Sequence, residues 1–381
     1  MGMEALDKLQ LLSEASKWEA GEKGCRDKTI RTFNGIILTR AALPDGRSTT
    51  LLKSLLNSAC ENNCLYCPMR AGRDFHRTAF QPEEFARLVV NLTTAGLIQG
   101  VFLSSGIAGG SIHTQDQLID TAQILRLKLQ YRGYLHLKIM PGAEYDQIAA
   151  CMCLADRVSI NLEAPNEQRL TTLAPQKEFY KQLLRPIEII AAIRKNLSPQ
   201  QTNQGKWPSS CTQFVLGGAA ETDRELLQTT QVLHRQYQIS RAYFSAFKPH
   251  PGTPMAHHAP VAYQREHRLY QADFLIRDYG FNQEELIFDE LGNLTQTKDP
   301  KWAWADRHLR EHPVDLNHAS REELLRVPGI GPKSVQLILQ IRHSQRIHDL
   351  SRLQKIGVHI KRSQDFVVVD GRKPAQQMHL F

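Results

Sequence analysis

Residues 60–68 read "CENNCLYCP", placing Cys60, Cys64 and Cys67 within eight positions, with Tyr66 directly before the last of them. A structural zinc site closes with four ligands, a disulfide needs two, and this run supplies three. His76 is the near candidate for a fourth ligand. Three thiolates suit three corners of a 4Fe–4S cluster, whose remaining iron then accepts a ligand from outside the chain. Zinc and an unmetallated loop are the alternatives. The chain carries seven cysteines, an odd number over 381 residues. That pattern favours metal or redox use of reduced thiols over a disulfide framework.

Outward from the loop, strand-like and helix-like stretches alternate. "GVFLSSG" (100–106), "YLHLKIM" (134–140), "DRVSINLEAP" (156–165), "CTQFVLGG" (211–218) and "RAYFSAFKP" (241–249) are separated by helical stretches such as "QPEEFARLVVNLTTAG". Such alternation predicts βαβ units on a parallel sheet, in a partial (β/α)6 barrel whose site lies at the strands' C-terminal ends. Val158, Ile160 and Leu162 alternate with Ser159, Asn161 and Glu163, and Leu135, Leu137 and Ile139 with His136 and Lys138. The apolar set must face the helices, so the polar set lines the lumen and marks a site. Lys138 is a candidate catalytic residue, because a buried lysine needs an anionic partner or a shifted pKa.

Arg70, Arg73 and Arg77 follow the cysteines and read either as anion ligands or as a solvated basic loop. Cys151 and Cys153, two apart on a helix, read as structural thiols, with an auxiliary cluster as the alternative. The run "IEIIAAI" (187–193) is too short to span a bilayer. The amino terminus is amphipathic and acidic, without a signal peptide's apolar core, so a cytoplasmic protein with no membrane partner is expected. Net charge is +5 from Asp315 onward against +3 over the preceding 314 residues. That asymmetry points to a polyanion partner for the C-terminal block.

The triad resembles the C-x3-C-x-aromatic-C signature of the radical S-adenosylmethionine superfamily. The resemblance implies a 4Fe–4S cluster on Cys60, Cys64 and Cys67, S-adenosylmethionine as second cofactor, and an external one-electron donor. It also implies a 5′-deoxyadenosyl radical that takes a hydrogen atom from the substrate. Tyr66 and "LSSG" with Ser104, Ser105 and Gly106 match cofactor-contacting positions. Ser159, Asn161 and Glu163 match polar ribose contacts, Gly217 and Glu221 of "VLGGAAET" the strand beside adenine, and "KPHPGTP" (248–254) a turn after the last strand. Many members have Gly-Gly-Glu where this chain has Ser-Ser-Gly. Glu163 or Asp116 is then expected to replace the acid that holds the methionine amine, and Glu163 joins Lys138 as a candidate catalytic residue.

Beyond a polar connector (291–313), "DLNHASREELLRVPGIGPKSVQLILQIR" (315–342) reads as a capped helix, a glycine hairpin and a second helix. It resembles the helix-hairpin-helix motif, which grips nucleic acid through phosphates. Gly329, Gly331 and Lys333 are the implied phosphate contacts. A degenerate second copy is expected around Lys355, Gly357, Lys361 and Arg362. The expected organisation is a barrel domain (1–290), the connector, an all-α domain (314–371) and a tail (372–381). The two modules together resemble radical S-adenosylmethionine proteins with a C-terminal helix-hairpin-helix domain, described as DNA modification or repair proteins. That implies DNA, or else RNA or a nucleotide, as substrate and a protein related to uracil-DNA glycosylase as partner; the alternative is a non-catalytic iron–sulfur protein that senses redox state on DNA. The terminal "QMHLF" (377–381) resembles a sliding-clamp docking peptide.

Overall fold

The computed structural model describes residues 4–16, 30–33, 35–42, 48–348, 350–354 and 357–373. They form two compact units, Met1–Glu221 with Val232–Ala262 and Thr222–Gln231 with Tyr263–Phe381.

The first unit is built on one eight-stranded sheet whose spatial order follows the chain. Its strands are β1 (Ile30–Phe33), β2 (Ile36–Ala42), β3 (Ser48–Leu55), β4 (Gly100–Ser104), β5 (Tyr134–Lys138), β6 (Arg157–Ser159), β7 (Ser209–Leu216) and β8 (Arg241–Ala246). β1 to β3 pair antiparallel, and every pair from β3 to β8 is parallel. Parallel neighbours require a crossover, which helices usually supply. Helix α1 (Ala5–Ala15) precedes the sheet. The crossovers are α2 (Pro82–Thr94), α3 (Ser111–Gln123), α4 (Tyr145–Leu154), α5 (Glu167–Leu173) with α6 (Arg185–Asn196), and α7 (Asp223–Tyr237). Six parallel strands with these helices form the partial (β/α)6 arrangement that the sequence pattern predicts.

Helix α2 shows why the crossovers form where they do. Gln81 and Glu84 make a reciprocal capping box, Pro82 occupies the first turn, and Phe85, Ala86, Val89 and Leu92 form one buried stripe. The strands alternate as expected. Val101, Leu103, Leu135, Leu137 and Val158 are completely buried, while Lys53, Phe102, His136, Lys138 and Ser159 occupy the opposite face.

The second unit contains α8 (Tyr263–Asp278), α9 (Pro300–His308), α10 (Arg321–Arg326), α11 (Pro332–Ser344), α12 (Ser351–Gln354) and α13 (Ile360–Ser363). A short parallel pair, β9 (Val314–Asp315) with β10 (Val367–Val368), brackets the last four helices. The stretch read as a connector holds α9, capped by Asp299 accepting from the Trp302 N–H. Trp302 and Trp304 pack on a core that includes Leu316, Leu324, Val335, Ile338 and Phe366. The charges in "DPKWAWADRH" conceal this helix in the sequence, and one of them, Lys301, is itself buried. Among the described residues, no helix is long and apolar enough to cross a membrane.

Candidate cofactor site and nucleic-acid hairpin

The cysteine loop leaves the C-terminal end of β3 and is fastened on two sides. On one side Leu56 N–H donates to the Ser104 carbonyl (2.8 Å), Gly106 N–H to Asn57 (2.7 Å) and Glu61 N–H to Ile107 (2.7 Å). The end of β4 is thereby zipped to the loop entrance. A Cβ on Gly106 would lie 2.2 Å from the Ala59 carbonyl oxygen, so glycine is required by this close approach. Gly106→Ala is expected to displace the loop, costing about 1–3 kcal/mol. A thermal melt together with iron content after reconstitution checks it.

On the other side Leu65 N–H donates to Leu173 O (2.8 Å) and Asn63 N–H to the Gln176 side chain (2.9 Å). Arg77 then braces the loop through the carbonyls of Ser58 (3.2 Å), Met69 (3.4 Å), Arg70 (3.0 Å) and Arg73 (3.3 Å). Arg73 donates to Pro68 O at 2.7 Å, and Arg70 donates to the Asn63 side chain. These arginines hold the loop's shape, a role that neither reading of the basic run anticipated.

The Met69 N–H donates to Cys67 Sγ at 3.3 Å, an interaction that favours the thiolate. Burial pushes the Cys64 thiol up, opposed by the Lys177 ammonium, and pushes the Cys67 thiol up, aided by the Cys64 sulfur. Among the described residues, the donor trio gathered within 4.8 Å of one another is Asp315, His318 and Asp370, not the cysteines.

Beyond β6 the chain turns sharply at Glu163, which has φ +65°. Its N–H donates to Gln213 O (2.9 Å) and its carbonyl accepts from Val215 N–H (2.7 Å), so the flanking strand holds the strained conformation. Its carboxylate is buried beside the cysteines. Oε1 accepts from Lys177 Nζ at 3.3 Å, and Oε2 is buried with no hydrogen-bond partner. Burial alone would lower the Lys177 pKa, but the Cys64 sulfur and the Glu163 carboxylate together raise it. Burial, then the Glu163 charge, pushes the Tyr66 phenol well up. Cys64, Tyr66, Cys67, Glu163 and Lys177 thus form one cluster of interacting groups, with Cys64 and Glu163 buried and the others half-buried. Lys177 carries no signal in the sequence. It follows "TTLAPQ" in a turn and gains its place only when Leu173 and Gln176 dock on the cysteine loop.

The remaining expected positions divide. Ser104 is buried at the end of β4, and Ser105 Oγ donates to Gly106 O at 2.7 Å. Ser159 Oγ pairs with His136 Nε2 at 2.9 Å, and Asn161 accepts from Lys138 Nζ at 2.6 Å. His136 stacks on Phe102, with ring centroids 4.2 Å apart. Burial holds the His136 pKa well below its ordinary value, helped by the Arg157, Lys138 and Lys53 cations. Gly217, at φ +80°, has its amide engaged by the Glu221 carboxylate, which also accepts from Ala219 N–H at 3.1 Å. Asp116 is exposed on α3 and accepts from Gln147 Nε2 at 2.6 Å, whereas Glu163 is buried. Cys151 is fully buried, accepts from Gln115 Nε2 at 3.3 Å, and is pushed by burial to about 12.

In the second unit Ser320 and Glu323 make the capping box of α10. Gly329 has φ +84°, and a Cβ there would lie 2.7 Å from the His359 carbonyl oxygen, so this glycine admits another part of the same block. Gly331 is in extended backbone as the N-cap of α11, whose first turn has no side-chain cap, and Lys333 is exposed on it. Gly357, where a second copy is expected, also has a positive φ of +86°. Lys355 and the terminal "QMHLF" lie outside the described residues.

The geometry defines an α/β unit with a cysteine-lined site at its strand ends and a helical unit with a glycine hairpin. The helix-hairpin-helix motif model matches residues 313–341, and the chain therefore carries that motif. The chain has remote structural likenesses. The FeFe-hydrogenase maturase HydG from Carboxydothermus hydrogenoformans is 15% identical, with TM-score 0.47 over 60% of this chain and 51% of that one. Methylornithine synthase PylB is 13% identical, with TM-score 0.46 over 60% and 62%. The cobalamin-dependent S-adenosylmethionine radical enzyme OxsB is 11% identical, with TM-score 0.35 over 80% and 51%. The chain spans about half to three-fifths of the length of these structures. No curated protein sequence matches it.

Proposed function

We propose that the protein is an iron–sulfur enzyme that uses S-adenosylmethionine to make a 5′-deoxyadenosyl radical, and that it acts on DNA in a modification or repair reaction. The observation that carries the reading is the placing of buried Glu163 and its ion-pair partner Lys177 beside buried Cys64 in a three-cysteine loop. The residues suit both cofactors. Cys60, Cys64 and Cys67 supply three thiolates to a 4Fe–4S cluster and leave one iron for an outside ligand. Glu163 and Lys177 offer one buried anion and one buried cation, the complement of an amino acid's ammonium and carboxylate. In this reading Glu163 takes the role of the acid missing from "SSG". When bound, the cofactors supply homolytic carbon–sulfur cleavage driven by one external electron. The chain orients them, excludes water, and lines the lumen with Lys138, Asn161, Ser159 and His136. The hairpin at Gly329–Lys333 holds the nucleic acid backbone.

Anaerobic reconstitution with iron and sulfide, followed by S-adenosylmethionine, dithionite and duplex DNA, is expected to yield 5′-deoxyadenosine. A fully loaded sample that forms none refutes the enzyme. Duplex affinity is expected to fall steeply with added salt, as phosphate contacts require. The same titration with RNA decides which polymer is preferred.

A further inference from the structure

Beneath the hairpin lies a buried cation that the motif does not contain. Lys301, on α9, is 8% exposed, and its Nζ donates to the carbonyl oxygen of Ile330 at 2.6 Å. The same nitrogen sits 4.5 Å from the centroid of the Tyr279 ring. Ile330 is the residue between the hairpin glycines. A Cβ on Gly331 would stand 3.3 Å from the Tyr279 hydroxyl, so Lys301 and Tyr279 together form the floor on which the "GIG" backbone rests.

Burial makes this ammonium costly and holds the Lys301 pKa at about 7. The Asp299 carboxylate opposes the fall, while Arg362 on α13 and Arg326 on α10 reinforce it. Both arginines are themselves engaged. Arg362 pairs with Asp299, and Arg326 pairs with Glu285 at 3.0 Å. The surroundings of Lys301 are thus one acid, two arginines and an aromatic ring. An added anion over the hairpin would tip that balance toward the ammonium.

We propose that Lys301 is the hidden counter-cation of the nucleic-acid hairpin: it positions the Gly329–Gly331 backbone and takes up a proton when phosphate binds above it. The inference rests on the reading of this hairpin as a phosphate-binding element. Its consequence is directional. A bound phosphate favours the charged form, so the complex holds more protons than the free protein, and affinity rises as pH falls through neutrality. Each unit by which phosphate raises the Lys301 pKa strengthens binding about tenfold once the pH lies below both values.

The test uses the full chain and a short fluorescent DNA duplex at constant ionic strength. Affinity is measured by anisotropy from about pH 9 to about pH 6 for the native protein and Lys301→Met. Histidines that titrate near the DNA act equally in both proteins and cancel in the comparison. The native protein is expected to gain about tenfold more affinity over that range than Lys301→Met. Parallel profiles overturn the proposal, and no binding by the native protein at any pH overturns the hairpin reading beneath it. Amide NMR shifts of Ile330 and Gly331, followed against pH without DNA, supply an independent readout. They are expected to titrate near neutrality in the native protein, and a flat response there also overturns the proposal. A circular dichroism spectrum matching the native one verifies that Lys301→Met remains folded.

Discussion

Cys64→Ala is expected to abolish the brown chromophore of the reconstituted protein and to reduce 5′-deoxyadenosine to background. Cys64 is the buried member of the triad, and its sulfur shares the interior with Lys177 and Glu163. A three-thiolate cluster has no spare ligand, so two sulfurs cannot hold it against water and chelators. The fold itself should survive. The loop is fastened through the backbone hydrogen bonds at Gly106, Glu61 and Leu65 and by the Arg77 brace, none of which uses the cysteine side chain. The substitution removes one sulfur from a tight site, a change that costs about 1–2 kcal/mol in a typical core. Far-ultraviolet circular dichroism and iron content measured on one preparation separate the two effects. Retention of the chromophore by this variant would show that the triad is not the cluster site.

The second large effect is expected at Lys177. Lys177→Met leaves the Glu163 carboxylate buried, strained at positive φ and without its partner on Oε1. Breaking one half of a buried ion pair costs about 3–5 kcal/mol, because the remaining charge is neither solvated nor paired. Glu163→Gln with Lys177→Met should recover much of that loss, since neither charge remains. Binding responds differently. If the pair receives the two charged ends of the cofactor's amino acid, each single variant should weaken S-adenosylmethionine at least about tenfold, or 1.4 kcal/mol. The double variant should regain stability without regaining affinity. Calorimetric titration beside a thermal melt reads both, and a double variant of native affinity would reduce the pair to a structural role.

Much of the architecture was legible because parallel sheets write themselves in local pattern. "YLHLKIM" and "RVSINLEAP" alternate so strictly that their two faces could be assigned residue by residue. Lys138 and Asn161, which meet at 2.6 Å, belong to the predicted polar face. The cysteine spacing was equally plain, since metal chemistry demands specific residues at short intervals. Two kinds of information were not local. Lys177 reaches the site only through the docking of the turn after α5 on the cysteine loop. Lys301 is buried under a hairpin almost thirty residues further along the chain, and in sequence it belongs to a stretch rich in charge. Glycine was also ambiguous. Gly106 and Gly329, both expected beside a ligand, are also each approached closely by a carbonyl of the protein itself.

The antiparallel strands ahead of the parallel series carry a further consequence. β3 would be the outer strand of a purely parallel sheet, with a ladder of unpaired amides and carbonyls along "STTLLKSL". β2 occupies that ladder from Leu38 to Ala42, β1 covers β2 in turn, and Ile37 N–H is tied to Ser13 Oγ of α1 at 3.3 Å. An uncovered strand of this composition is a template for a second chain. The amino-terminal strands therefore move the open edge from β3 to the short strand β1, and their loss is expected to expose β3 and to appear first as precipitation.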